Sequence, residues 1–446
     1  MDPNVEILSA SIWKTADGED PVKTTLATSE RIIKRITDGI YREPWAAFRE
    51  LVANSYDADA TEVTILTGAP DFQKVTIRDN GNGMTPDSVA HLVLSIGGSS
   101  KRTLTGNELN TVNKDDFDKS PSGRPLIGKI GIGIFAVAQL TQHFQIITKS
   151  SGDSVRTWAT VLLRTHNENL PKSTAENEEF AAGEVTIRSE KVADSEIESH
   201  GTTIVLHDLR PEIRRQLQSF RRWKDANSEG PDGKPLANPP TYHTGLPPVS
   251  PGSLDLAKQP NLPWKESDPP DLRFKELIRA ASDASGRGSK PADLDHFDEY
   301  LKLIWNLSLS VPLEYIERHP FDFSTADELI IYGVPASTGQ ANLIELTNDE
   351  TLRKNLDLIA GEPDPAGGFN IQIDGVQLKR PINLPVEQLN KKARIHSPVI
   401  MVAKEYAPFS DKDLDSAGGS LSFEAYLYWN GKIVPRVQTH SNPVAD

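Results

Sequence analysis

Between Arg221 and Asp271 the chain reads RRWKDANSEGPDGKPLANPPTYHTGLPPVSPGSLDLAKQPNLPWKESDPPD, and eleven of the chain's 32 prolines fall there. Proline has no backbone N–H and a locked φ, so this density forbids a regular helix or a central strand. Ordered structure must therefore lie on either side. Residues 225–271 read as an extended crossover that could wrap a domain, with Tyr242, Leu262 and Trp264 as anchors. The flanking blocks are 1–224 and 272–446, and a length of 446 residues suits two or three domains.

In the first block, helical patterns (RIIKRITDGIY, AFRELVANSYDA) come early, followed by strand-like runs: EVTIL, KVTIRD, HFQIITKS, TWATVLLRT and TTIVLHDL. Serial strands with helices inserted early predict a mixed α/β sandwich. The polar segment GGSSKRTLTGNELNTVNKDDFDKSPSGRP, within about 97–128, is too long for an ordinary connection and too poor in apolar residues to order itself, and reads as either a disordered stretch or a functional lid. Beyond the crossover, FKELIRAAS and FDEYLKLIWNLSLS predict helices. ELIIYGVP, FNIQIDGVQLKR, SPVIMVAKEY and FEAYLYWNGKIVPRVQ predict strands of a second α/β domain.

Charge and composition narrow the function classes. The chain carries 48 Lys+Arg against 63 Asp+Glu, and net −15 opposes whole-surface attraction to nucleic acid or an anionic membrane. The absence of cysteine excludes disulfides and thiolate metal sites. No basic-then-apolar leader opens the sequence, and no run of about 18 apolar residues occurs, so a soluble, cytoplasmic protein is expected.

Three segments carry chemistry. On the helix beginning at Ala46, Phe48, Leu51, Val52 and Ser55 gather on one side, and Glu50, Asn54 and Asp57 gather on the other among Ala46, Ala47 and Ala53. A solvated face explains this pattern, but such a face normally mixes in Lys or Arg. Small residues beside a carboxylate also leave room for a ligand.

Next, VTIRDNGNGMTPDSV runs a strand into Asp79, Asn80, Gly81, Asn82, Gly83 and Met84. A plain turn is one reading. A calcium loop fails on spacing, because Ala90 stands where a bidentate glutamate is needed. A nucleotide pocket is the third, with Asp79 an acceptor for an exocyclic amino group and the glycines allowing close backbone approach to a flat ring. Last, LIGKIGIGIFAVAQL places Gly128, Gly131 and Gly133 ahead of an apolar helix, either to hold phosphate on exposed amides or to permit tight packing. Its spacing matches neither a dinucleotide fingerprint nor a Walker loop.

In this order the three segments resemble the GHKL (Bergerat-fold) ATPase superfamily. ITDGIYREPWAAFRELVANSYDA and IGKIGIGIFAVAQLTQHFQIITKS are most similar to the ninety-kilodalton heat-shock chaperones, DNGNGM and LSIGGSSKR also to MORC-type ATPases, and GTTIVLHDL matches a fourth family element. The resemblance spans about the first 210 residues. It implies an α+β protein: a Bergerat-type sandwich with a mixed sheet, helices on one face and an ATP lid at 97–128, then a transducer-like domain over 272–446.

The resemblance further implies ATP and Mg²⁺ as cofactors. Asn54 would give its amide oxygen to the metal, and Asp79 would accept from the adenine amino group with help from Thr202. Gly81, Gly83 and Met84 would lie near the base. Gly128, Lys129, Ile130, Gly131, Ile132 and Gly133 would return the lid onto the phosphates, joined by Lys101, with Asp57 in the same binding set. Glu50 would act as general base on water. A transducer cation would complete catalysis, with Lys379 or Lys432, or their neighbours Arg380 and Arg436, as candidates.

A carboxylate at the position of Glu50 goes with hydrolysis rather than phosphotransfer to histidine, and no phosphoacceptor helix precedes the pocket. The expected function is an ATP-driven switch of chaperone type acting on a protein partner, with ATP-dependent dimerisation. The alternatives are a nucleic-acid clamp of MORC or MutL type and a nucleotide-sensing scaffold with little turnover. The chain stops just after a strand-like segment, so a fragment lacking an output module is also an expectation.

Overall fold

The computed structural model describes residues 3–29, 43–94, 111–128, 133–163, 179–245, 259–284, 294–314, 316 and 366–380, with the backbone of short strands at 331–333, 342–344, 423–429 and 432–439. Its helices are α1 (Pro3–Thr15), α2 (Pro44–Asp57), α3 (Pro86–Leu94), α4 (Gly133–Leu140), α5 (Pro211–Leu217), α6 (Phe220–Ala226), α7 (Pro270–Ala284) and α8 (Glu299–Ser310). Its strands are β1 (Val22–Ser29), β2 (Glu62–Leu66), β3 (Val75–Asp79), β4 (His143–Lys149), β5 (Val155–Leu163), β6 (Glu179–Lys191) and β7 (Gly201–His207), followed by β8 (Ile331–Gly333), β9 (Asn342–Ile344), β10 (Asn370–Ile373), β11 (Val376–Gln377), β12 (Phe423–Trp429) and β13 (Lys432–Thr439). The helical pattern RIIKRITDGIY and the strand pattern SPVIMVAKEY lie outside the described residues.

One mixed sheet of nine strands runs in the order β1-β6-β5-β4-β7-β3-β2-β10-β11, antiparallel throughout except for the parallel β2–β10 pair. Residues directly opposite one another share a face, so register aligns side chains into rows across the sheet. Ile65, Ile77, Ile204, Ile146, Ala159 and Ile187 form one such row. Two residues along, the row reads Val63, Asp79, Thr202, Thr148, Thr157 and Ser189. The core-facing parity thus continues into a polar row at one end of the sheet, and the site forms there.

Helix α2 starts with Pro44 at its first turn, where a missing N–H is harmless, and buries Phe48, Leu51, Val52 and Ser55 as its apolar spacing predicts. It packs against α4 and α8. Burying a leucine or phenylalanine of this kind contributes about 1.5–3 kcal/mol each.

The described helices and strand β10 beyond the crossover pack with the first block. Phe274, Leu277 and Ile278 of α7, Leu301, Ile304 and Trp305 of α8, and Ile371 and Ile373 of β10 lie in the same buried cluster as Phe48 and Leu51. Strand β10 extends the first sheet at β2, so described residues on both sides of position 272 share this core. Within the crossover, Trp264 joins that core, Tyr242 and Leu262 pack against it, and the Tyr242 amide donates to the His296 carbonyl at 2.8 Å. No helix among the described residues is long and apolar enough to cross a membrane.

Candidate functional site

Asp79 ends β3 in the polar row and is only 9% exposed. Its Oδ1 accepts from the backbone amides of Gly81 (2.9 Å) and Thr202 (3.2 Å), and its Oδ2 accepts from the Ser55 hydroxyl (3.0 Å). A carboxylate offers about four lone-pair positions. The three donors orient the group and leave one acceptor position on Oδ2. Burial pushes the Asp79 carboxyl above its ordinary value, while the donors from Gly81, Ser55 and Thr202 and the nearby His200 oppose that shift.

The loop after Asp79 is pinned from several sides. Asn82 donates its amide to the Ala58 carbonyl at 2.8 Å and its side chain to Asp59 at 3.1 Å. Asn80 accepts from the amides of Thr61 and Glu62, each at 2.9 Å. The Met84 amide donates to the Thr148 hydroxyl at 2.8 Å, and that hydroxyl lies 3.0 Å from Thr202 Oγ1. At Gly83, φ is +67°, and a Cβ there would sit 1.9 Å from the Lys149 carbonyl oxygen. The glycine is required by both sterics and backbone conformation. Lys149 secures the facing loop by donating to the carbonyls of Ser150, Ile197 and Ser199, and His200 Nδ1 lies 2.8 Å from the Gly81 carbonyl.

Glu50 and Asn54 are half-buried and lie one turn apart on one face of α2. Asp57 has a different position from a solvated face: it is 3% exposed, and its two oxygens accept from the amides of Ile127 (2.9 Å) and Gly128 (3.0 Å). It holds the glycine loop by its backbone. Among the described residues no group of three or more His, Cys, Asp or Glu could hold a metal ion.

The composition of 97–128 predicts a segment unable to order itself, but residues 111–128 are packed. Val112 and Leu126 are buried, Ser120 donates to Asp59 Oδ1 at 2.5 Å, the Ser122 amide donates to Asp59 Oδ2 at 3.0 Å, and Arg124 is wholly buried. Buried polar contacts do here what apolar area could not. Lys101, Lys129, Ile130, Gly131 and Ile132 lie outside the described residues, and Gly133 begins α4. Lys379 pairs with Glu314 at 2.6 Å, Arg380 donates to the Val311 carbonyl at 3.4 Å, and Lys432 and Arg436 are described only as backbone of β13.

Thr148, Lys149, Asp59 and Arg124 went unread in the sequence, and Ser55 was placed on the apolar side of its helix without a role in the site. Ser55 had a signal, being a polar residue on the apolar side of its helix. Thr148 had the weaker signal of core-facing parity in β4, and the others had none.

Residues 41–198 match the family model described as histidine kinase-, DNA gyrase B-, and HSP90-like ATPase. The chain is 27% identical over 217 residues to the chaperone protein HtpG of Mycolicibacterium vanbaalenii, covering 44% of this chain and 29% of that one. It is 28% identical over 143 residues to HtpG of Chlorobium phaeobacteroides, covering 28% and 22%. It is 35% identical over 78 residues to the DNA mismatch repair protein MutL of Lacticaseibacillus casei, covering 18% and 12%. The chain therefore spans less than a third of the length of these curated relatives. The pinned Asp79 loop, the α2 face and the glycine loop all lie within the matched span, and residues 41–198 form a domain of the histidine kinase-, DNA gyrase B- and HSP90-like (GHKL) ATPase superfamily.

Proposed function

We propose that this chain is a Mg²⁺-dependent ATP-binding switch with slow ATP hydrolysis, whose conformational change acts on a protein partner. The observation that carries this reading is the remaining acceptor position of Asp79, whose carboxylate is oriented by three donors. That arrangement suits an exocyclic amino group, with Thr202 beside it and Gly81, Gly83 and Met84 near the base.

Asn54 offers an amide oxygen to the metal, and bound Mg²⁺ would neutralise phosphate charge. Glu50, one turn away, orients and deprotonates the attacking water. The glycine segment from Gly128 to Gly133, held at Gly128 by Asp57, is the proposed phosphate-binding segment, with Lys101 as an added cation. Lys379 or Lys432 is the candidate transducer cation, and closure on ATP brings two copies together. The similarity to HtpG favours a protein partner. The MutL similarity supports a second reading, a nucleic-acid clamp, which net −15 opposes.

Calorimetric titration with ATP and Mg²⁺, run beside a phosphate-release assay, tests the proposal. Micromolar to millimolar binding with slow release of phosphate is expected. A chain that binds no adenine nucleotide would overturn it.

A further inference from the structure

Arg124 is 0% exposed and stands where three segments of the chain meet. Its Nη1 donates to the carbonyls of Ala60 (2.6 Å) and Tyr56 (3.3 Å), and its Nη2 donates to that of Gly368 (2.6 Å). The guanidinium carbon lies 4.6 Å from the Tyr56 ring centroid and 5.6 Å from that of Phe369, and the two rings meet edge-on at 83°. Both ring contacts fall within the range of cation–π attraction.

Each segment leads somewhere specific. Tyr56 is in the last turn of α2, the helix that carries Glu50 and Asn54. Arg124 itself lies four residues before Gly128, whose amide Asp57 holds at 3.0 Å. Gly368 and Phe369 lead directly into β10, the strand that adds to the sheet beside β2.

We propose that Arg124 is a positioning residue that couples the nucleotide loop at Gly128 to residues 366–380. The inference rests on the ATP-site reading above. A guanidinium is a rigid planar fork, so one acceptor cannot shift far without breaking alignment at the others. Its burial makes the penalty steep, because a charged donor that loses its acceptor indoors has no water to replace it. Movement of the 124–128 segment when nucleotide engages Gly128 must therefore be followed by Gly368, or else the fork is broken. The coupling runs in both directions, since the effect of nucleotide on β10 equals the effect of β10 on nucleotide affinity.

The test uses the full chain, with ADP and a non-hydrolysable ATP analogue as probes. Amide hydrogen exchange is read at Asn370, which donates to the Thr61 carbonyl, and at Asp374, which donates to the Ile65 carbonyl. In the parent, nucleotide should slow exchange at both amides. Phe369→Leu, far milder than loss of the arginine, should weaken nucleotide binding about 5- to 10-fold. Arg124→Lys, which keeps the charge but not the fork, should abolish the nucleotide-dependent difference in exchange.

A purely structural role would speed exchange equally with and without nucleotide. If Arg124→Lys does not fold, the parent comparison and Phe369→Leu decide the matter. Unchanged exchange in a parent that binds nucleotide, or parental affinity in Phe369→Leu, would overturn the coupling and leave the ATP-site reading intact. A parent that fails to bind either nucleotide removes both.

Discussion

The two carboxylate oxygens of Asp57 are taken by consecutive amides, Ile127 at 2.9 Å and Gly128 at 3.0 Å. The helix that presents Glu50 and Asn54 therefore also fixes the first residue of the glycine loop, so the proposed metal side and the proposed phosphate side share one support. Asp57→Asn should uncouple them. An amide can accept from one of the two N–H groups but sets a donor against the other, at a cost of about 1–3 kcal/mol. Affinity for ATP should fall while affinity for adenosine, which has no phosphates, stays near parental. Equal losses for both ligands would show that Asp57 supports the whole pocket instead.

Gly83→Ala should be among the most damaging substitutions available in the Asp79 loop. At φ +67° its Cβ would meet the Lys149 carbonyl at 1.9 Å, and that carbonyl is backbone of a central strand. Backbone strain and displacement together predict a loss above about 2 kcal/mol, with nucleotide binding lost in parallel. Gly152→Ala is the matched control, since its φ is +81° but no atom lies within 4 Å of its Cβ. Denaturant unfolding of both variants separates clash from strain.

Acidification should strengthen one docking point of the crossover. Asp298 caps α8 through the Leu301 amide (2.8 Å) and holds Thr244 through its amide (2.7 Å) and hydroxyl (3.1 Å). Burial pushes its carboxyl from 3.8 up to about 6 despite those donors. With the folded value raised, its stabilising contribution is full below 3.8 and lost as pH rises through about 6. The span of about 2 units corresponds to ~3 kcal/mol. Neighbouring His243, lowered by burial, behaves oppositely: its contribution is full above 6.5 and lost as pH falls. Comparing the parent with Asp298→Asn cancels the histidine. The stability of the parent relative to the variant should decline between pH 4 and pH 7 on the scale set by that shift. A constant difference would mean that Asp298 does not titrate in this window.

Much of the site was legible because local chemistry dictates it. Asp79 follows an alternating strand and precedes two glycines, and the α2 spacing separates Ser55 from Glu50 and Asn54. What was illegible depends on partners remote in sequence. Strand β1 has a Thr-rich pattern with little apolar signal and is defined by pairing with β6. The parallel pairing of Asn370 with Glu62 leaves no trace in either segment alone. Arg124 sits in a run of Ser, Gly and Pro with no periodicity, and its importance comes wholly from carbonyls that the fold delivers to it. The packing of α7 and α8 into the same core as α2 was illegible for the same reason, since helix amphipathicity shows that a face is buried but not against what.

Binding and chemistry should separate cleanly within the proposed site. Asp79→Asn removes a carboxylate that accepts from Gly81, Thr202 and Ser55, and it can set an amide donor against an adenine amino group. A site built for one hydrogen-bonding pattern discriminates steeply against another, so ATP binding should be lost. The raised carboxyl of Asp79 adds a pH signature: because only the ionised form is a pure acceptor, parental affinity should fall on acidification at a higher pH than for an ordinary aspartate. Glu50→Ala should keep ATP bound while hydrolysis falls on the order of 10² to 10⁴, the range for a general base. Asn54→Ala should weaken binding of ATP with Mg²⁺ more than binding of metal-free nucleotide. Titration calorimetry and phosphate release on the three variants supply the readouts. Parental turnover in Glu50→Ala would leave hydrolysis, if any, to another group, and the half-buried face of α2 would then serve binding alone.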